Sequence, residues 1–175
     1  SRAVHAARAR LHPLLIVARK LGPRLLLTPV HFFALGAGAG LAPRAPGTAG
    51  SVLGLLLGAL TFHWVIELRA ALVVGVVLAG IWICGESARR LGVHDHPGIV
   101  FDEIAGMLAT LLAADFLGWL ELLLAFVLFR FFDIVKPWPI REVDHRLGGG
   151  LGIMLDDLMA AAFAAVCLQA AQLAF

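Results

Sequence analysis

Charge is what this 175-residue chain has least of: 15% of its residues are Asp, Glu, Lys or Arg, against 61% hydrophobic ones. Soluble domains carry about 25% charged and about 45–50% apolar residues. The deficit therefore argues against an ordinary water-soluble domain, and the mean hydropathy of +0.92 points to an integral membrane protein. The remaining soluble alternative is a very apolar helical domain buried in an oligomer, which would explain runs shorter than about 20 residues. Cysteine is scarce too. Cys84 and Cys167 lie far apart, each inside an apolar run. No zinc spacing is present, and two buried reduced thiols are the simplest reading. Acids are missing from the first third of the chain, where none precedes Glu67.

Six of the 14 basic residues (Arg2, Arg8, Arg10, Arg19, Lys20 and Arg24) fall within positions 1–29, leaving 8 bases against 12 acids in the rest of the chain. By the positive-inside rule residues 1–29 read as a basic cytoplasmic segment. Val4, Ala7, Leu11, Leu14, Leu15 and Ala18 recur at helical spacing, which suits an amphipathic segment lying on an anionic membrane surface. Nucleic-acid binding would use the same charges but does not fit so apolar a chain. Residues 30–175 then form one helical membrane domain, since the length leaves little room for two.

Five apolar segments can be drawn, at residues 51–66, 70–84, 104–114, 116–129 and 158–175. They are Leu/Ala-rich and continuous without strict alternation, which predicts helices and not strands. The third and fourth predict a hairpin turning near Asp115 and Gly118. The linkers 85–103 and 130–157 carry most of the remaining basic residues, so with the N-terminus inside, every charged motif falls on the cytoplasmic side. A glycine-rich stretch before Ser51 predicts a re-entrant segment or a loop docked on the bundle.

Acidic residues at the ends of these runs are the candidates for chemistry. An Asp at the centre of a spanning helix costs about 2.5–3.5 kcal/mol on insertion scales. Asp102-Glu103, Asp133 and Asp156-Asp157 therefore predict a positive partner, such as a divalent metal or bound phosphate with its counter-charges. Hard oxygen ligands at such a place suit Mg²⁺; plain compensation of a helix dipole is the alternative for Asp102 and Glu103. His94 and His96 read first as loop-surface residues, with substrate or acid–base roles as the second option. Arg130 and Asp133 share one helical face and would form an i,i+3 ion pair, unless Asp133 binds metal while Arg130 and Lys136 bind phosphate. Pro46 to Ser51, PGTAGS, could cradle a phosphate at a helix N-terminus, with Thr48 and Ser51 as hydroxyl donors, or be an N-cap. The absence of a Lys after these glycines excludes a Walker A loop. Gly148 to Gly152 reads as a flexible run leading to Asp156-Asp157. Cys84 and Arg90 have the Cys-x5-Arg spacing of cysteine phosphatases, but an apolar helix runs into the motif where a strand would be expected.

Taken in order, LAPRAPGTAGS, GVHDHPGIVFDEIAGM, FRFFDIVKPWPIREVD and GGGLGIMLDDLMAA resemble bacterial phosphatidylglycerophosphatase A over about residues 30–165. The resemblance implies an all-α fold and Mg²⁺-dependent hydrolysis of phosphatidylglycerophosphate to phosphatidylglycerol and phosphate at the bacterial cytoplasmic membrane. It implies acidic site positions at Asp95, Asp102, Glu103, Asp133, Asp156 and Asp157, and basic or hydroxyl positions at Thr48, Ser51, Arg130 and Lys136.

The expectation is therefore a polytopic helical membrane phosphatase of about five apolar helices with its active site facing the cytoplasm. Asp95, Asp102, Glu103, Asp133 and His94 are the catalytic candidates. Asp102, Glu103, Asp133, Asp156 and Asp157 are the metal candidates, and Thr48, Ser51, Arg130 and Lys136 would hold phosphate. Its partners would be the lipid substrate and the bilayer. The alternative is a small ion-coupled transporter or channel, which would place carboxylates deep within spans.

Overall fold

The computed structural model describes residues 21–116, 118–142 and 147–174. Residues 1–20 of the expected basic segment, and Asp144 to Arg146, lie outside the described residues. All regular structure among the described residues is helical. A 3₁₀ turn at Pro23–Leu27 leads to α1 (Pro29–Ala34), and a second 3₁₀ turn at Gly36–Leu41 leads to α2 (Pro46–Thr61). The helices α3 (Ile66–Leu91), α4 (Phe101–Leu111), α5 (Trp119–Val135) and α6 (Gly149–Ala174) follow.

Two helices, α3 and α6, are long and apolar enough to cross a membrane, and α2 is a shorter apolar helix. At 1.5 Å per residue the 26-residue α3 and α6 are each about 39 Å long, ample for roughly 30 Å of hydrocarbon. The expected third span is different. The 11 residues of α4 reach only about 16 Å. Most of α4 is buried, including Ile104, Ala105, Met107, Leu108 and Leu111. A helix apolar on nearly every side belongs in the centre of a bundle, and α2, α3, α5 and α6 pack around this one. The turn expected near Asp115 and Gly118 falls between the end of α4 and the start of α5.

Glycine sets how closely α2 approaches this centre. Gly50, Gly54 and Gly58 recur on one face, and a Cβ on Gly54 would stand 2.8 Å from the Ile104 carbonyl oxygen. The glycine-rich stretch before it docks on the bundle: the Val100 amide donates to the Ala34 carbonyl at 2.8 Å.

The run at Gly148 to Gly152 is not a flexible lead. From Gly149 onward it is the first turn of α6, and a Cβ on Gly150 would lie 1.7 Å from the Ile81 carbonyl oxygen. Glycine is there because two helix backbones nearly touch. The helix starts nine residues before the apolar run at 158, so Asp156 and Asp157 lie within it, about 11 Å from its start. Similarly, α3 continues past Cys84 to Leu91, where Glu86 pairs with Arg89 at 2.8 Å and Arg90 at 2.6 Å. These local i,i+3 and i,i+4 pairs let a charged turn end an apolar helix.

Candidate active site

Asp102 and Glu103 occupy the first turn of α4, entering the bundle from the loop after α3. Asp157 approaches from α6, where Gly106 makes room: a Cβ there would be 3.2 Å from the Asp157 carbonyl oxygen. One ligand atom from each of Asp102, Glu103 and Asp157 lies within 4.8 Å of the others. Three carboxylates from two helices thus converge at one point, although 54 positions separate Glu103 from Asp157 in the chain.

Asp157 is 3% exposed and Asp102 8%. Asp102 Oδ1, Glu103 Oε2 and Asp157 Oδ2 are buried without a hydrogen-bond partner. Unsatisfied buried oxygens of this kind are rare in folded proteins and call for an explanation. Burial, aided by the negative charge of Asp157, raises the Glu103 carboxyl from 4.5 to about 8. Burial likewise pushes Asp102 well above its ordinary value, with Glu103 and Asp95 adding to the effect. Together these groups form a concentrated negative centre whose ionised form requires a cation.

Two cations stand beside it. Arg130, near the end of α5, forms the expected ion pair with Asp133 and also lies 3.8 Å from Glu103. Its Nη1 donates to Ser51 Oγ on α2 at 3.3 Å. Lys136 caps α5 with a left-handed backbone (φ 44°) and directs its ammonium to Asp156. A non-glycine residue in that region costs on the order of 1–2 kcal/mol, and such strain gathers at functional sites. Asp133 lies against Asp157, so it belongs to the same cluster.

The N-terminus of α2 completes the rim. Its N-cap is Ala45, with Pro46 as the first helical residue and no side-chain cap. Thr48 and Ser51 therefore lie inside the first turns and not at the cap. Ser51 is buried and donates to the Gly47 carbonyl at 2.9 Å. A Cβ at Gly47 would sit 2.1 Å from Glu103 Oε1 and 3.3 Å from Arg130 Nη1, so this backbone faces the carboxylates directly.

The loop residues separate. His94 and Asp95 are exposed. The His94 ring lies against Gly148, within 3.2 Å of where a Cβ would be. His96 is not the loop-surface residue expected: it is buried, and its Nδ1 accepts from the Gly98 amide at 3.0 Å. It thereby fixes the Pro97-Gly98 turn that leads into α4. Sequence reasoning read Gly47 as part of a phosphate-cradling stretch but missed its close approach to Glu103. It also missed the buried His31–Ser87 hydrogen bond (2.9 Å) that fastens α1 to α3. Only a buried partner 56 positions away reveals the second, so no local signal could have found it.

The depth of Asp157 removes one argument made from the sequence. Carboxylates at span ends would disfavour a transporter, yet this one sits well inside α6. What distinguishes the site is its pairing of open carboxylates with Arg130, Lys136 and a helix N-terminus, which together suit an anionic group held beside a cation.

The fold and site define an all-helical bundle in which buried, unpartnered carboxylates stand beside two basic side chains. The comparisons make that class specific, because the family model of phosphatidylglycerophosphatase A matches residues 32–172. The chain belongs to that family. A Haemophilus influenzae phosphatidylglycerophosphatase A is 43% identical over 148 residues, covering 84% of this chain and 91% of the relative. The Escherichia coli protein of the same name is 40% identical over 137 residues, 78% of this chain and 80% of the relative. A Bacteroides thetaiotaomicron protein, named as a candidate phosphatidylinositol-3-phosphatase, is 37% identical over 145 residues, covering 78% of this chain and 89% of the relative. No solved structure is a significant match.

Proposed function

We propose that this enzyme is a multi-pass protein of the bacterial cytoplasmic membrane that removes the terminal phosphate of phosphatidylglycerophosphate with the help of Mg²⁺, its site facing the cytoplasm. The observation that carries the reading is the convergence of Asp102, Glu103 and Asp157 within 4.8 Å, with buried oxygens that have no partner. An all-oxygen donor set of this charge fits Mg²⁺, which keeps several waters and bridges to phosphate. Asp102, Glu103 and Asp157 would hold the ion, with Asp133 and Asp156 beside them. Bound there, Mg²⁺ supplies Lewis-acid stabilisation of the phosphoryl group.

The rest follows from the protein's own groups. Arg130 turns its guanidinium fork to two phosphoryl oxygens, while Asp133 and Ser51 hold it in place. Lys136 neutralises a further oxygen as a point charge. Amides at the start of α2, beside Gly47 and Thr48, steady the phosphate, helped by the absence of a side chain at Gly47. Asp95, close enough to Asp102 to raise its pKa, accepts the proton of the attacking water, with His94 on the same loop as the other candidate base. The name of the Bacteroides relative concerns a different headgroup. A phosphomonoester on a lipid is what the two names share, and the site recognises that part.

An ion-coupled transporter is the competing reading, and the depth of Asp157 suits it. The cations around the carboxylates favour the phosphatase. Phosphate release from phosphatidylglycerophosphate by the detergent-solubilised chain decides the matter: turnover should require Mg²⁺ and disappear with EDTA. Undiminished turnover after rigorous chelation would refute the metal assignment.

A further inference from the structure

Adjacent aspartates on α6 have different surroundings. Successive residues of an α-helix point about 100° apart, so the Asp156 and Asp157 carboxylates leave the helix in different directions. Asp157 supplies an oxygen to the set it forms with Asp102 and Glu103. Asp156 is not in that set. It meets the ammonium of Lys136, which lies 20 positions earlier at the C-terminal end of α5. The Asp156 side chain is only 9% exposed and that of Lys136 26%, so solvent screens their attraction little. The charge of Asp156 is felt at both Asp102 and Asp157, which sets the pair at the edge of the carboxylate cluster.

Lys136 occupies a position that would suit another residue better. Its backbone (φ 44°, ψ 61°) is left-handed, and its amide donates to the Phe132 carbonyl at 2.9 Å to end α5. Glycine or asparagine ends a helix this way with less strain. A lysine here is therefore explained by its side chain. That side chain is a long flexible stem carrying a point charge, and a carboxylate on the neighbouring helix gives the charge a fixed place. Arg130 is held in a comparable way, by Asp133 and Ser51.

We infer that Asp156 is a positioning residue and not a metal ligand: it fixes the Lys136 ammonium at the edge of the carboxylate cluster, where that ammonium meets a phosphoryl oxygen of the substrate. The inference rests on the phosphatase reading above and divides an adjacent acidic pair by task, with Asp157 serving the cation and Asp156 the phosphate. A carboxylate already facing an ammonium is a poor seat for a divalent ion, because the two cations repel at that range. An ammonium carries three N–H donors, so it serves a carboxylate and a phosphoryl oxygen together. Prior fixing of the ammonium means that phosphate need not order it on arrival, which strengthens binding.

Charge balance gives the decisive variant. Asp156→Asn combined with Lys136→Met removes the pair without changing net charge, so it leaves no stranded ion in the bundle. Two ligands are measured on the full-length chain in detergent. Mn²⁺, a hard ion suited to the same oxygen donors, is followed by electron paramagnetic resonance, and radiolabelled inorganic phosphate by equilibrium dialysis with Mn²⁺ saturating. The double variant should keep Mn²⁺ affinity within about threefold of wild type and lose phosphate affinity about tenfold. Asp157→Asn should instead lower Mn²⁺ affinity about tenfold or more, since it removes a ligand charge. A tenfold loss of Mn²⁺ affinity in the double variant, on the order expected for a ligand, would make Asp156 a ligand. Unchanged phosphate affinity would make the ion pair a strut between helices. Either result overturns the inference.

Turnover then tests whether Asp156 acts through Lys136. For phosphatidylglycerophosphate, kcat/KM should fall about tenfold in Lys136→Met, and adding Asp156→Asn should lower it by no more than about a further twofold. Losses that multiply would show that Asp156 acts on its own and would overturn the assignment. If the binding results follow expectation while the wild-type chain releases no phosphate from the lipid, the roles of Asp156 and Lys136 toward phosphate stand and the phosphatase reading fails.

Discussion

The two ends of the helix bundle treat buried polar groups in opposite ways. At the end away from the site, Arg69 is buried, its Nη2 donates to the Leu111 carbonyl, and its guanidinium lies 4.3 Å over the Phe62 ring. A cation at the last carbonyls of α4 also satisfies the helix dipole. Gln169 of α6 donates to the Ala113 carbonyl close by. These contacts close upon themselves. At the other end, Asp102, Glu103 and Asp157 present oxygens with no partner, and Arg130 has a buried Nε in the same condition. Polar groups that are closed hold helices together; polar groups left open await a ligand. One bundle contains both, so the same helices serve as a control for the site.

Asp157→Asn should break the comparison most completely. It keeps the side-chain shape but removes charge from the centre, and turnover should fall at least about 100-fold, as for loss of a group acting on the transition state. The folded state should not suffer, because one charge in a crowded buried cluster is relieved. Phosphate release and thermal midpoint, measured on the same preparation, separate the two effects. Near-normal turnover under saturating Mg²⁺ would make the open end as structural as the closed one.

Acidity offers the next test. Glu103 is raised from 4.5 to about 8 by burial, and Asp102 moves in the same direction. Between these values the unfolded chain releases a proton that the fold retains, so the stability from these groups is lost as pH rises through about 8. Without metal, the thermal midpoint should decline across that window. Added Mg²⁺ should reverse the decline and stabilise most at its upper end, where the carboxylates ionise readily. A midpoint that ignores both pH and Mg²⁺ would mean the cluster binds no cation.

A smaller effect is expected at the closed end. Arg69→Met retains much of the apolar stem and leaves the Leu111 carbonyl without its donor. Losing a buried hydrogen bond from a charged group should cost about 1.5–3 kcal/mol of stability. Turnover per folded molecule should remain within about twofold, since Arg69 packs at the opposite end of α4 from Asp102 and Glu103. A Mg²⁺-dependent loss of turnover would show that the ends communicate through α4.

What could be read from the sequence follows the range of the forces involved. Continuous Leu/Ala runs specify helices locally, so the all-helical class is legible without a structure. Motif order carries the family resemblance. Helix ends are less legible: 66–91 exceeds the expected 70–84 because Glu86, Arg89 and Arg90 satisfy one another, and 149–174 exceeds 158–175 because Gly150 fits against Ile81. The shortness of α4 and its central position depend on what surrounds it, so hydropathy misread it as a span. At the site, residue types at Asp102, Glu103, Asp133 and Asp157 announce a charged centre. Their convergence to 4.8 Å, and the wall formed by Gly47, are tertiary facts that spacing along the chain does not encode.

Cys84 supplies the smallest expected effect and the cleanest control. Its spacing to Arg90 imitates a cysteine phosphatase, in which the thiolate would be the nucleophile. Here it is fully buried inside α3, with its sulfur 4.0 Å from Met154 Sδ. Arg90 is engaged with Glu86 one turn before it, so Cys84 and Arg90 build no phosphate cradle. A buried thiol in apolar surroundings is a small hydrophobe and a poor nucleophile. Cys84→Ser replaces it with a hydroxyl in a tight apolar site and should cost roughly 1–3 kcal/mol of stability. Turnover per folded molecule should change less than about twofold, and Mg²⁺ dependence should persist. Kinetics of the folded fraction and a chelation series on the same variant provide the check. Abolished turnover in a stably folded Cys84→Ser chain would move the chemistry from the carboxylates to the thiol.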